Sequence, residues 1–292
     1  MNSGVLFALG AYLSWGLFPL YFRQIAAIPA LQIVAHRTLW SLVFVAGVLL
    51  WTGRLRWLRE VSAATWRRFM LSAALIAINW VLYVWAVGNG HVLDASLGYF
   101  INPLVNVALG YLVLHERPRP AQWAAVGLAA FGVLWLTVAA GKLPWVALVL
   151  ASSFGAYGLM RKTASLGALE GLALECLVLA PLAGAGLAYW TLDGSSAAQS
   201  VSDWAWLLGT GPLTAGSLLL FAAGARRIPL ATLGLIQYLS PSLQFLLGVF
   251  LFHEPMSATR LVAFGCIWGA LAVYSAEGLW QSRRARAAIA PC

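Results

Sequence analysis

Ten apolar runs, most of them about twenty residues long, are separated by short polar or basic stretches, and that spacing leaves few folds open. A helix needs about 20 residues to cross the roughly 30 Å hydrocarbon layer of a bilayer. The runs fall near 4–22, 31–51, 69–87, 94–114, 121–139, 144–159, 169–190, 204–225, 228–252 and 259–279. Transmembrane β-strands alternate apolar and polar residues over about ten positions, whereas these runs are continuous, so all ten read as helices. Of the 292 residues 62% are hydrophobic and 9% charged, against roughly 45–50% and about 25% in soluble domains. With a mean hydropathy of +0.83, such a chain could not cover its surface with polar groups in water. The expected fold class is an all-α integral membrane protein with ten transmembrane helices and no soluble domain.

The net charge of +9 would suggest a nucleic-acid partner in a soluble protein. Its placement gives another reading. With the N-terminus inside, Arg54, Arg56, Arg59, Arg67, Arg68, Arg117, Arg119, Arg161, Lys162, Arg226, Arg227, Arg283, Arg284 and Arg286 all fall in inner loops or the tail, 14 of the 18 basic residues. Outside lie Arg23, Lys142 and Arg260, and Arg37 stays within a span. Excess Lys and Arg mark the cytoplasmic side, so both termini are expected there and no nucleic acid is expected. Trp51, Trp66, Trp123 and Trp280 near the inner boundary and Trp145, Trp190 and Trp204 near the outer one suit interfacial belts. Segment 54–68, with Leu55, Trp57, Leu58 and Val61 among arginines, reads as an interfacial helix. The start MNSGVLFALGAYLSWGLF has no basic leader region and reads as a retained first helix. No loop carries a pair of cysteines, so neither a disulfide framework nor a CxxC metal site is expected.

An internal repeat organises these runs. A shift of 138 positions matches Pro103 with Pro241, Gly110 with Gly248, His115 and Glu116 with His253 and Glu254, and Gly127 with Gly265; ASLG at 95–98 matches ATLG at 231–234 after a two-residue gap. Ser14, Trp15 and Gly16 match Ser153, Phe154 and Gly155 at a shift of 139. Two five-helix copies are expected at 1–140 and 141–280, followed by a basic tail at 281–292. Because five is odd, the second copy enters the bilayer from the opposite side, and inverted repeats around a midplane site are a transporter architecture.

Ionisable groups inside a membrane cost roughly 2.5–3.5 kcal/mol each on insertion scales and call for a reason. Arg37 and Glu175 occupy equivalent positions of spans two and seven, one in the outer half and one in the inner half, so no direct pair is expected. Each either bonds to neighbouring helices or meets a charged part of a substrate, and Glu175 is the candidate for proton coupling. Tyr99, Asn102 and Asn106 share a helix face by their i, i+3, i+7 spacing, as do Gln237, Ser240 and Gln244 in the second copy. Amides are unfavourable against lipid, so both stripes should face inward, as a binding site or as interhelical hydrogen bonds. The adjacent Pro103 and Pro241 each free a carbonyl of the preceding turn. Tyr12, Trp15, Phe18, Trp80, Tyr83, Phe154, Tyr157, Phe221 and Tyr238 supply an aromatic lining suited to an amphipathic solute, with Asn79 and its repeat partner Ser217 adding polar groups. The substrate-binding set expected is thus Trp15, Arg37, Asn79, Tyr83, Tyr99, Asn102, Asn106, Tyr157, Glu175, Gln237, Ser240 and Gln244. His91 and Asp94 open the fourth span, where an acid suits the helix dipole. The two His-Glu pairs lie at opposite faces and lack the second histidine of HExxH, so they read as helix ends; no metal, cofactor or catalytic residue is expected.

These residues resemble the drug/metabolite transporter superfamily of EamA domain type, in its RarD-like branch. The likeness runs through the chain: AYLSWGLFPLYF in the first span, HRTLWS at 36–41, NWVLYVWAV at 79–87, ASLGYFINPLVN at 95–106, YGLMRK at 157–162 and ATLGLIQYLSPSLQFLL at 231–247. The resemblance implies ten helices with cytoplasmic termini in a bacterial inner membrane and a central cavity lined by spans 1, 3, 4, 6, 8 and 9. It also implies export of amino acids, drugs or related metabolites, and carries neither a fixed substrate nor a coupling motif. The expected function is outward movement of a small amphipathic solute by alternating access, by a monomer and without enzymatic activity. A lipid flippase or a membrane-embedded enzyme is the alternative; an enzyme needs convergent nucleophile and acid/base groups, yet Glu116 and Glu254 sit on opposite faces.

Overall fold

The computed structural model describes residues 3–88, 92–141, 145–251 and 258–287, and every regular element among them is helical. The helices are α1 (Ser3–Phe22), α2 (Ala30–Trp51), α3 (Trp57–Glu60), α4 (Ala63–Gly88), α5 (Val92–Leu112), α6 (Pro120–Ala140), α7 (Trp145–Thr163), α8 (Ala168–Leu192), α9 (Val201–Ala225), α10 (Leu230–Gln237), α11 (Leu239–Leu246) and α12 (Ala258–Ala287). His91, Lys142, His253 and Glu254 lie outside the described residues, as do the side chains of Asp94, Arg260, Arg283, Arg284 and Arg286.

Local chemistry sets the helix ends. Pro120 opens α6, where its missing N–H is no loss, and Gly141 ends it at φ 69°. Ser200 Oγ accepts from Asp203 N at 3.0 Å while Asp203 Oδ2 accepts from Ser200 N at 3.0 Å, a reciprocal cap on α9. Two expectations need correction. The segment 54–68 is not one interfacial helix: α3 is four residues long, the chain turns extended at Val61, and Arg67 and Arg68 belong to α4. Ser62 Oγ, which accepts from Thr65 N at 3.2 Å, starts the new helix there. The ninth run is not one helix either, since it breaks at Tyr238 between α10 and α11 and ends in a π turn, Leu247–Leu251.

Six stretches of the described residues are long and apolar enough to cross a membrane: Ser3–Ile25, Ala30–Trp51, Pro120–Ala139, Ala168–Leu192, Val201–Ala225 and Leu230–Leu251. Large apolar side chains stand on the outside, among them Trp51, Val138, Leu182 and Phe250, each more than 70% exposed. Exposed apolar surface of this extent suits hydrocarbon, not water. Inside, α1 packs on α9 and α11, α2 lies against α8 and α9, α5 against α7 and α10, α4 against α7 and α8, and α6 against α12. One core gathers Tyr12, Val45, Ile76, Tyr157, Phe221 and Leu233, and a second gathers Phe100, Ala129, Tyr238 and Phe264. At Gly234 a Cβ would stand 2.7 Å from the Pro103 carbonyl, so glycine is what lets α10 lie directly on α5.

Candidate functional site

A buried charge cluster joins α4, α7 and α8. Tyr157 and Arg161, four residues apart on α7, share a face that looks toward Glu175 on α8. Arg161 Nη1 lies 3.5 Å from Glu175 Oε1, Ser72 Oγ of α4 donates to the same oxygen at 2.5 Å, and Tyr157 OH donates to Oε2 at 3.2 Å. Arg161 also donates from Nη2 to the Ala168 carbonyl at 2.9 Å and has its guanidinium carbon 5.5 Å from the centre of the Phe69 ring. Gly171 makes the room: a Cβ there would meet Phe69 Cε1 at 2.7 Å and run into the Arg161 guanidinium. The sequence reading put Arg161 among solvated loop cations, and this is corrected, for the residue is 1% exposed. Its recognisable signal was the need of a buried acid for a partner on an adjoining helix end.

This cluster stands between two spaces. On the side of the α7–α8 loop is a vestibule of about 300 Å³, bounded by Arg68, Phe69, Ser72, Met160, Thr163 and Ala164. On the other side is an interior cavity of about 10 Å³, room for about one water, walled by Thr38, Ser41, Trp80, Glu175, Cys176 and Thr214 among others. Ser72 faces the first and Glu175 the second, so the hydrogen bond between them crosses the partition. At the opposite end of the bundle α1 and α2 are tied to α9 and to the α8–α9 loop. Gln32 Nε2 donates to the Ser195 carbonyl at 2.8 Å and its Oε1 accepts from Ala197 N at 3.0 Å, Tyr21 OH donates to the Trp206 carbonyl at 2.5 Å, and His36 stands edge-on to Trp204. In that loop the Ser195 hydroxyl and N–H hold the Asp193 carboxyl below the usual carboxylate range.

Deeper in, Arg37 lies over the Trp80 ring, 4.1 Å from its centre, and its Nε is buried without a hydrogen-bond partner. Arg37 and Glu175 do not pair. Tyr12, Trp15, Phe154, Tyr157 and Phe221 form one aromatic cluster with ring centres 5.3 to 6.2 Å apart.

The two polar stripes meet in part. Asn106 Nδ2 donates to Gln237 Oε1 at 2.9 Å, and Tyr12 OH donates to the same oxygen at 3.4 Å. Gln244 Nε2 donates to the Trp15 carbonyl at 3.1 Å, which ties α11 to α1. Asn102 and Ser240 are buried, and the Oδ1 atoms of Asn102 and Asn106 lack a donor. Tyr83 and Tyr99 pair edge-on at 5.9 Å and are 38% and 41% exposed. Asn79 Nδ2 donates to the Leu150 carbonyl at 2.8 Å and to Ser153 Oγ at 3.0 Å, joining α4 to α7. Glu116, read from sequence as a helix end, does something more specific. It accepts from Leu230 N at 2.9 Å and Ala231 N at 3.2 Å, capping α10, and lies 3.5 Å from Lys162 Nζ.

A lipid-facing helical bundle with a polar, aromatic interior defines a multi-pass membrane protein, and the comparisons place it more narrowly. Residues 2–138 match the EamA-like transporter family. An uncharacterized transporter of Pseudomonas aeruginosa is 48% identical over 97% of this chain and 96% of its own length. Protein RarD of Streptomyces exfoliatus is 45% identical over 99% of this chain and 93% of its own. A chloramphenicol-sensitive protein RarD of Pseudomonas aeruginosa is 34% identical over 97% of this chain and 95% of its own. The chain belongs to the EamA-like transporter family, in its RarD-like branch. A crystal structure of a protein 22% identical to it superposes with a TM-score of 0.70, covering 93% of this chain and 98% of the other, so the fold is one already seen by crystallography.

Proposed function

We propose that this bacterial inner-membrane protein moves a small amphipathic organic solute outward by alternating access, as a monomer with cytoplasmic termini. Its body is two inverted five-helix repeats, 1–140 and 141–280, with a basic tail at 281–292. Exchange of α1 with α7, α2 with α8, α4 with α9, α5 with α10–α11 and α6 with α12 maps the larger helix contacts onto one another. The contact of α1 with α9 has its counterpart in α7 with α4, that of α5 with α7 in α11 with α1, and that of α2 with α9 in α8 with α4. Such reciprocity is what two repeats related by a pseudo-two-fold axis require.

The observation that carries the reading is the partition. Glu175, Arg161, Ser72 and Tyr157 stand between the vestibule and the interior cavity, and Gln32 and Tyr21 tie the described helices together at the far end. The two ends differ in how equivalent residues are used. Gln32 ties α2 to the far loop, whereas its counterpart at the vestibule end, Glu170, pairs with the exposed Arg54 at 3.7 Å. Breaking one tie while making the other gives the second state. Trp15, Arg37, Asn79, Tyr83, Tyr99, Asn102, Asn106, Tyr157, Glu175, Gln237, Ser240 and Gln244 are the proposed binding set, and Glu175 the proposed proton carrier. Efflux from proteoliposomes, measured for amino acids and amphipathic drugs with and without a pH gradient, tests the whole. Flux of at least one solute class above empty liposomes is expected. Absence of protein-dependent flux across the panel overturns the reading.

A further inference from the structure

We infer that the interior cavity takes an organic anion, a carboxylate carried on an apolar body, with Arg37 as its counter-charge; this rests on the transporter reading. The charges of the interior do not balance. Arg161 is answered by Glu175, the Ala168 carbonyl and Phe69. Arg37 has no carboxylate within ion-pair distance among the described residues, and its contact is with the ring face of Trp80. Among the described residues two cations and one anion leave a single positive charge, and an unanswered charge in a low-dielectric interior favours a ligand of opposite sign.

Among the hydroxyls that wall the cavity, one is free to donate. Thr38 and Ser41 in the cavity wall already donate, to the Val34 and Gly211 carbonyls. Thr214, 1% exposed, has an Oγ1 without a partner, and so has the Arg37 Nε–H. A free hydroxyl in the cavity wall and a free N–H on the cation that rests against the wall residue Trp80 suit a carboxylate, which accepts hydrogen bonds and donates none. Trp80 serves both functions: its ring holds the guanidinium on one side and lines the cavity together with Ile76 and Leu218, a surface for an apolar body. At about 10 Å³ the cavity is too small for such a ligand in this conformation, so binding goes with widening of the interior.

The test uses the full chain in lipid nanodiscs and three probes of nearly equal shape: 3-phenylpropionate, 3-phenylpropionamide and 3-phenylpropylamine. Calorimetric titration should give the carboxylate an affinity roughly 10- to 100-fold above the amide, with the amine weakest. Arg37→Gln should remove that preference and Arg37→Lys keep part of it. Equal binding of carboxylate and amide, preference for the amine, binding of none of the three, or an unchanged preference in Arg37→Gln overturns the inference. Should Arg37→Gln fail to fold, the wild-type comparison of carboxylate with amide decides alone. Proteoliposome flux of the same probes separates this inference from the one beneath it: movement of amine or amide without carboxylate leaves a transporter and removes the anion site.

Discussion

Arg161 Nη1 and Glu175 Oε1 stand 3.5 Å apart with 1% and 3% of their side chains exposed, an ion pair in the partition between the vestibule and the interior. Desolvating two charges consumes much of what their attraction returns, so the pair contributes little net stability, but removal of one partner strands the other. Arg161→Met or Glu175→Leu alone should therefore destabilise by about 3–5 kcal/mol, and the double variant by far less than the sum. Denaturant unfolding of the four proteins in detergent checks this; additive losses would show that the two charges are not coupled.

Glu175 has a second expected readout. If it carries the transported proton, Glu175→Gln, which keeps the shape and one oxygen to accept from Ser72 or Tyr157, should still support flux but lose its pH dependence. An unchanged pH profile in proteoliposomes assigns the acid to holding Arg161.

Much of this arrangement was legible before any coordinates, and the failures have physical causes. Run length in the sequence marks where most of the described helices lie. Arg161 was hidden because a cation at the end of an apolar run looks solvated; only folding brings Glu175 and the gap at Gly171 to it. Pro103 and Pro241 look alike in sequence, yet α5 runs through the first and the second half breaks beside the other. The difference lies in distant partners: Tyr238 OH donates to the Phe100 carbonyl at 3.1 Å and Trp268 Nε1 to Ser242 Oγ at 3.0 Å. Asn79 donates across from α4 to α7, a partnership between distant stretches that sequence spacing does not reveal.

Topology follows from the basic loops. A cysteine at Ser196, in the loop after α8, should react in intact cells with an impermeant maleimide, and one at Ala64, at the start of α4, should not. Labelling of position 64 alone would invert the orientation and place the vestibule outside.

Glu116 ties the N-terminus of α10 to the end of α5 through two backbone N–H groups and Lys162. Glu116→Ala should cost about 0.5–2 kcal/mol, the range of a lost N-cap, and Glu116→Gln less because an amide oxygen still accepts. Melting temperatures of the two purified variants rank them; equal losses would assign the effect to the Lys162 charge contact in place of the cap.

The stripe residues separate binding from packing. Gln237 Oε1 accepts from Asn106 and Tyr12, so Gln237→Leu leaves a buried amide N–H and a buried hydroxyl unanswered and should lower stability by about 1–3 kcal/mol. Asn102 Oδ1 has no donor to lose. If that oxygen receives a hydrogen bond from the transported molecule, Asn102→Leu should weaken affinity by about 1–3 kcal/mol, roughly 5- to 150-fold, with its melting temperature nearly unchanged. Affinity and thermal stability measured on the same preparations decide between the roles. A loss of stability with affinity intact at both positions would reduce the stripe to interhelical packing and move the binding site toward Arg37 and Trp80.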